Sequence, residues 1–429
     1  MLTLHLPDKF RMRARFRLGL CFALLILAGC RVRIAKENQT TDSVEIVSVN
    51  PIPKLEPHLP IEPLIQQRQM RAVWIATIYG LDWPKQVARN AKEEEQQRQE
   101  FCEKLDRLSK QGFNTVFLQV RHRGDVIYPS QYEPFATAFS GKRKAMGYDP
   151  LSFAIEECHR RGLQIHAWMT TFPLGKGRLS QYPPRSIHPD WCIKHRGEWQ
   201  LDPGKPEVRN YIADLVSELV RLYPGLDGVH LDYVRYPDFA DSFADGASYK
   251  RYGQGKNKAE WRRENISLLL ELVYHAAQAD TGPRLLSCAT LGRLRRLPQY
   301  PTIGWTAYED VYQDPVDWAK RGVVDFIVPM MYYKGNYFDP FLIDWKKQIP
   351  NLTIIPGLGL YRLAEPKSTW TAQEIDWQME LAKSLNLPGI CFYREQQLTL
   401  NKEIEEVILK HFSEPGMPLL FPHKAQKPS

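Results

Sequence analysis

From Met70 onward the chain alternates short apolar runs, rich in β-branched and aromatic residues, with longer stretches whose apolar positions recur at helical spacing. Strands buried on both faces read as continuous apolar runs, so this alternation predicts a parallel sheet covered by helices. The apolar runs fall at 71–78, 114–120, 163–169, 228–233, 284–290, 326–332, 352–360 and 389–393. The helical stretches fall at 91–110, 150–161, 206–222, 258–279, 314–321, 340–347, 372–385 and 402–412. Eight strand and helix pairs in alternation predict an α/β fold, a single-domain (β/α)8 TIM-type barrel over residues 70–412.

The connections are unequal. Helix-to-strand turns are short and carry glycine, as in Gln111-Gly112, Arg161-Gly162 and Arg321-Gly322, whereas strand-to-helix loops are long, at 79–90, 121–149, 170–205 and 236–257. Length beyond what closure needs serves function, and here it falls on the C-terminal face, where barrels carry their chemistry. The run Leu226-Asp227-Gly228-Val229-His230-Leu231-Asp232-Tyr233-Val234-Arg235-Tyr236-Pro237 places an acid, a base and two tyrosines at one strand end. Other strand ends bring Trp74, Gln119, Arg121, His122, Asp125, His166, Trp168, Tyr332, Tyr333, Tyr393 and Arg394 to the same mouth.

Carboxylates, imidazoles and aromatic plates together suit a sugar, whose hydroxyls need polar partners while its C–H faces stack on rings. Cutting a glycosidic bond requires two carboxyl groups. Asp232 is the choice for nucleophile or base, with Arg235 keeping it ionised. A structural Asp232–Arg235 ion pair is the plain alternative. The acid falls to a loop, with Asp314, Asp125 and Glu309 as candidates. Asp314 precedes Pro315, an arrangement equally typical of a helix N-cap. His166 reads as a sugar ligand because Trp168 alternates in step with it, or else as a core histidine. Trp191, Trp199 and Tyr182 either line a cleft or pack their loop onto the barrel.

The N-terminus differs from the rest. Lys9, Arg11, Arg13, Arg15 and Arg17 precede an apolar run that stops at Leu27-Ala28-Gly29-Cys30, which reads as a signal peptide over 1–29, too short for a permanent span. Those four residues resemble a bacterial lipobox, which implies lipid attachment at Cys30 and membrane anchoring through more than one acyl chain. Residues 30–69, with five prolines from Pro51 to Pro63, read as a tether, and 413–429 as a C-terminal tail. Loss of the signal lowers the formal charge from +8 to about +4, so no nucleic-acid partner is expected. The composition, 43% hydrophobic and 25% charged, is that of a globular protein. Cys102, Cys158, Cys192, Cys288 and Cys391 show no metal-site spacing and read as buried core residues. The first strand, Trp74-Ile75-Ala76-Thr77, lacks the His-x-His of zinc barrel hydrolases. No dinucleotide fingerprint or Gly-x-Ser-x-Gly elbow occurs, so neither metal nor cofactor is expected.

The order of motifs resembles the bacterial glycosyl-hydrolase-like ten family. The residues that carry the likeness are Met70-Arg71-Ala72-Val73-Trp74, Gly112-Phe113-Asn114-Thr115-Val116, Val120-Arg121-His122-Arg123-Gly124-Asp125, Leu163-Gln164-Ile165-His166-Ala167-Trp168, the run from Gly225 to Pro237, and Val328-Pro329-Met330-Met331-Tyr332-Tyr333. That family includes lipoproteins resembling the division-site enzyme that cuts peptidoglycan strands stripped of their peptides. The resemblance implies a catalytic-centre role for Asp232 and sugar contacts for Arg121, Asp125, His166 and Arg235. Trp74, Trp168, His230 and Tyr332 complete the expected substrate-binding set. The chain departs from the pattern at Pro329-Met330, where Pro-Gln is expected. The expectation is a lipid-anchored glycosidase of the bacterial cell envelope, on the periplasmic side of the outer membrane, acting on denuded peptidoglycan. Its rivals are a non-catalytic glycan-binding lipoprotein on the same barrel and a metal-dependent hydrolase.

Overall fold

Period-two alternation with both faces apolar should close the strands around one core and wrap them in helices, and the computed structural model of the chain has that form. It describes residues 68–421 apart from 143, 145, 178–182, 279–281, 283, 301–303, 400–401 and 420. The signal peptide, Cys30, the tether up to residue 67 and Tyr182 lie outside the described residues. In chain order the strands begin β1 (Met70–Ile75), β2 (Thr115–His122), β3 (Asp125–Val126), β4 (Gln164–Thr170), β5 (Pro173–Gly175), β6 (Cys192–His195) and β7 (Glu198–Leu201). They continue β8 (Gly228–Asp232), β9 (Leu285–Leu291), β10 (Phe326–Met330), β11 (Thr353–Ile354), β12 (Gly357–Gly359) and β13 (Gly389–Tyr393).

The barrel runs β1-β13-β12-β10-β9-β8-β4-β2 and closes because β2 pairs back onto β1. Val73 thus has Phe392 on one side and Val116 on the other, all in parallel register. The seventh stave, expected as one run over 352–360, is broken into β11 and β12, both alongside β10. Pro356 lies between them and has no N–H for the ladder. The outer helices are α1 (Ala91–Lys110), α2 (Pro150–Arg160), α3 (Pro206–Leu222), α4 (Lys258–Ala277), α5 (Pro315–Arg321), α6 (Asp339–Gln348), α7 (Ala372–Ser384) and α8 (Lys402–His411). Asn90 caps α1 through the Glu93 N–H, and Asp149 caps α2 through Leu151 and Ser152, which is why these helices begin where the sequence places them.

Alternate strand residues divide the interior into two. Val116, Leu118, Val229 and Leu231 face outward into the core under the helices, while Trp74, Phe117, Trp168 and Phe326 fill the barrel itself. At the N-terminal end the tail closes the floor. The Gln69 N–H donates to the Met417 carbonyl (2.9 Å), and the Arg71 guanidinium donates to the carbonyls of Phe412 (3.3 Å) and Glu414 (2.8 Å). Phe421 then stacks on Phe326 with centroids 5.7 Å apart. The five described cysteines are free thiols, and Cys158, Cys288 and Cys391 are buried.

Two excursions shape the opposite face. β3 folds back antiparallel on the end of β2. The long loop after β4 contains a three-stranded antiparallel sheet in the order β5-β7-β6. This sheet forms one wall of the mouth.

Candidate active site

β8 presents Gly228, His230 and Asp232 to the barrel interior at increasing height. Gly228 is required by its neighbour, because a Cβ there would lie 2.3 Å from Nδ1 of His166. His230 sits one step higher, flat on Phe117 at 4.4 Å and 3°. Its Nε2 lies 3.2 Å from Trp74 Nε1, which can only donate, so Nε2 carries the lone pair and Nδ1–H faces Ser287 Oγ at 2.8 Å. Burial pushes the His230 pKa well down, and His166 pushes it the same way, so the ring is neutral.

Asp232 ends the strand at the bottom of a cavity of about 770 Å³. The Tyr233 N–H donates to its Oδ1 (2.7 Å) and Trp168 Nε1 donates to its Oδ2 (3.1 Å). Burial raises its pKa, and this outweighs the opposing pull of the Tyr233 N–H, the Arg235 charge and the Trp168 N–H. A carboxyl that resists ionisation beside an open cavity is equipped to give up a proton.

Aromatic faces form much of the wall. Tyr332, Tyr361 and Tyr393 cluster with centroid separations of 5.5, 5.6 and 5.8 Å, and Trp168 stands edge-on to Tyr393 at 6.4 Å. Tyr233 and Phe239 continue the wall, both exposed and both in the left-handed region at φ 52° and 59°. Two further carboxyls reach the same cavity, Glu198 from β7 and Asp238 from the loop after β8. Asp238 is held by Arg235 at 2.8 Å, whereas the Glu198 side chain has no hydrogen-bond or ion-pair partner among the described residues.

The structure gathers some of the expected residues and moves others away. Asp232, Trp168, Arg235 and Tyr332 line the cavity. Arg235, however, donates to Asp238 and to the Tyr236 carbonyl, and its charge lowers the Asp232 pKa less than burial raises it. Asp314 does not line the cavity; its Oδ1 accepts the Asp317 N–H at 3.2 Å and caps α5. Arg121 is fully buried and clasps Glu133 through two bonds of 2.6 and 2.8 Å. Burial alone would lower its pKa, but the Glu133 charge raises it, and the guanidinium is structural rather than a sugar contact.

Asp125 faces a neighbouring cleft, with its Oδ1 3.2 Å from Nδ1 of His122. His166 is fully buried between Phe117 and Phe326, with no partner for either nitrogen among the described residues. Burial lowers its pKa to about 4, despite the opposing charges of Asp227 and Asp325. It is a core residue, and Trp74 and His230, bonded to each other, likewise do not line the cavity. Trp191 and Trp199 pack their loop onto the outer core rather than lining the cavity.

Sequence reasoning missed Glu198, His195 and Arg196, which reach the site only because the β6–β7 hairpin stands up beside it. The signal was the Arg196-Gly197 pair, a two-residue turn between short strands. Met330, where the resemblance leads us to expect Gln, also lines the cavity and makes that patch apolar.

Comparisons with known proteins agree with this fold. The model of the family described as glycosyl hydrolase-like 10 matches residues 69–369. The glycosyl hydrolase YngK of Bacillus subtilis (strain 168) is 32% identical over 345 residues, which cover 74% of this chain and 67% of that protein. The glycosyl hydrolase DigH of Escherichia coli (strain K12) is 31% identical over 371 residues, 77% of this chain and 83% of its own. Among solved structures, the PgaB (BpsB) glycoside hydrolase domain from Bordetella bronchiseptica aligns with a TM-score of 0.54 at 14% identity, covering 79% of this chain and 98% of that one. At that identity the likeness is one of fold.

Proposed function

The chain belongs to the glycosyl hydrolase-like 10 family, and from that premise we propose that it is a cell-envelope glycosidase that cuts peptidoglycan strands stripped of their peptides, with Asp232 as general acid. The observation that carries this reading is the placement of Asp232: at a strand end, at the base of an open cavity, with its carboxyl held toward the protonated form by burial. Protonating the leaving oxygen of a glycosidic bond needs such a group. The acid role replaces the nucleophile role expected from the sequence, since a nucleophile or base must be ionised.

The second carboxyl in the proposal is Glu198. It lines the same cavity and is not engaged by an arginine, as Asp238 is. The tyrosine cluster supplies the stacking faces for sugar rings. Lipid attachment at Cys30 and a periplasmic position on the outer membrane belong to the proposal too, supported by the Leu27-Ala28-Gly29-Cys30 sequence.

The test is digestion of purified glycan strands by the parent, Asp232→Asn and Glu198→Gln, with mass analysis of the products. Loss of general acid catalysis should lower the rate of Asp232→Asn by roughly 10²- to 10⁴-fold. The parent's rate should fall on the alkaline side, as Asp232 loses its proton, at a pH above the ordinary aspartate value. Undiminished digestion by Asp232→Asn would end this reading. Undiminished digestion by Glu198→Gln would remove only the second assignment.

A further inference from the structure

Two hairpin tips at the cavity share one sequence, His-Arg-Gly-acid. They are His122-Arg123-Gly124-Asp125, joining β2 to β3, and His195-Arg196-Gly197-Glu198, joining β6 to β7. In each, the histidine pairs across the ladder with the acid, so Arg-Gly is the two-residue turn. Both turn residues are left-handed in both hairpins, with φ of 51° and 81° at Arg123 and Gly124 and 47° and 85° at Arg196 and Gly197. Such primed turns favour Asn, Asp or Gly at the first position; an arginine there costs stability, and this chain accepts that cost twice on one cavity.

The two arginines also differ from the other cationic groups around the site. Arg235 is neutralised by Asp238 and Arg394 by Asp82. His122 is kept neutral, its pKa lowered to about 3 by burial and then by the charges of Arg123 and Arg121. Arg123 and Arg196 have no carboxylate partner among the described residues, yet both line the cavity. Each rests on an aromatic face instead: Arg123 lies over Tyr79 at 5.4 Å and bonds its hydroxyl, and Arg196 lies over Phe239 at 4.0 Å. An aromatic face holds the guanidinium plane while leaving in-plane N–H groups open, the geometry that receives a carboxylate through two parallel bonds.

We propose that the two Arg-Gly hairpin tips are specificity-determining and bind free carboxylates carried on the sugars of the glycan, so that the site takes an acidic glycan rather than a neutral one. This rests on the reading of the Asp232 cavity as a glycosidase site and sharpens it. In a peptidoglycan strand the sugar carboxylate is the lactyl group of muramic acid, which is tied up as an amide while the peptide is attached and is released when the peptide is removed. Arg123 and Arg196 therefore distinguish a stripped strand by a carboxylate placed directly on the sugar, whereas the carboxylates of a peptide-bearing strand lie farther out, along the peptide.

Binding to the full-length Asp232→Asn protein tests this without depending on turnover. Three probes are compared by calorimetry: stripped strands, the same strands with their carboxylates converted to neutral amides, and neutral N-acetylglucosamine oligomers of similar length. Amidation should weaken binding about tenfold, and the neutral oligomers should bind as weakly as the amidated strands. Adding Arg123→Gln and Arg196→Gln together should cause the same loss on native strands and abolish the effect of amidation, while Arg123→Lys with Arg196→Lys recovers part of the binding. Equal binding of all three probes, no binding of any, or an amidation effect that persists in the double glutamine variant would overturn the proposal. Failure of the hydrolysis reading shows separately, as native strands that bind in a charge-dependent way and are not cut by the parent.

Discussion

The floor and the mouth of this barrel are built by the same strands with the same alternation, yet one is inert and the other reactive. On β4 and β8 the inward residues at the lower level are His166 and Gly228, and those above them are Trp168, His230 and Asp232. At the floor, His166 is enclosed by Phe117 and Phe326, with the C-terminal strap closing the end beneath Phe326. At the mouth, Asp232 has two N–H donors and an open cavity in front of it. Burial drives both groups toward their neutral forms. For the histidine this removes a charge and leaves a packing element; for the aspartate it retains a proton that a substrate can take. Depth along a strand, rather than residue type, separates core from chemistry.

The largest effect that would sharpen this contrast is at the floor. Phe117→Ala should lower unfolding free energy by about 3–5 kcal/mol, because Phe117 is fully buried and contacts Trp74, His166, His230 and Phe326. Urea denaturation measures it, and a loss below about 1 kcal/mol would mean the floor is not close-packed.

Next comes the carboxyl that the structure takes away from the site. Asp314→Ala should cost about 1 kcal/mol through the lost cap on α5 and leave glycan digestion within twofold of the parent, roughly the scatter of such assays. A fall in digestion comparable to that of Asp232→Asn would put Asp314 back among the reacting groups.

A smaller, pH-dependent effect belongs to the mouth. Folding raises the pKa of Asp232, so its charged form opposes folding above the folded-state value, while below the unfolded value the carboxyl is protonated in both states and the penalty is absent. Asp232→Asn carries no charge at any pH, so its Tm should exceed the parent's near about pH 8, with the difference shrinking toward about pH 4. A variant that melts below the parent at every pH would show that the bonds from Trp168 and Tyr233 outweigh burial.

The smallest change is expected for His166→Leu. Removing a buried imidazole whose nitrogens have no partner among the described residues should leave stability within about 1 kcal/mol and digestion unchanged. Loss of digestion with an intact fold would return His166 to the sugar site.

Much of this protein was legible before its folding was known. The period of the apolar positions determined the eight staves and their helices; α3 and β13 begin and end at the residues the pattern marks. The crowding of polar groups after β8 marked Asp232, because strand ends in a closed parallel barrel converge on one mouth whatever the loops do. Side-chain alternation alone could not rank positions by depth, so His166, His230 and Trp74 read as site residues although they do not line the cavity. Nor could it say that Arg121 would be met by Glu133 from its own loop, or Arg235 by Asp238, since those pairings depend on how the loops fold back. Glu198 and the two Arg-Gly tips enter the site only through an antiparallel sheet raised on a long connection. Tertiary structure decided these matters, for a physical reason: local pattern determines which face a residue takes, while burial and partners, which determine its charge state, are supplied by segments distant in the chain.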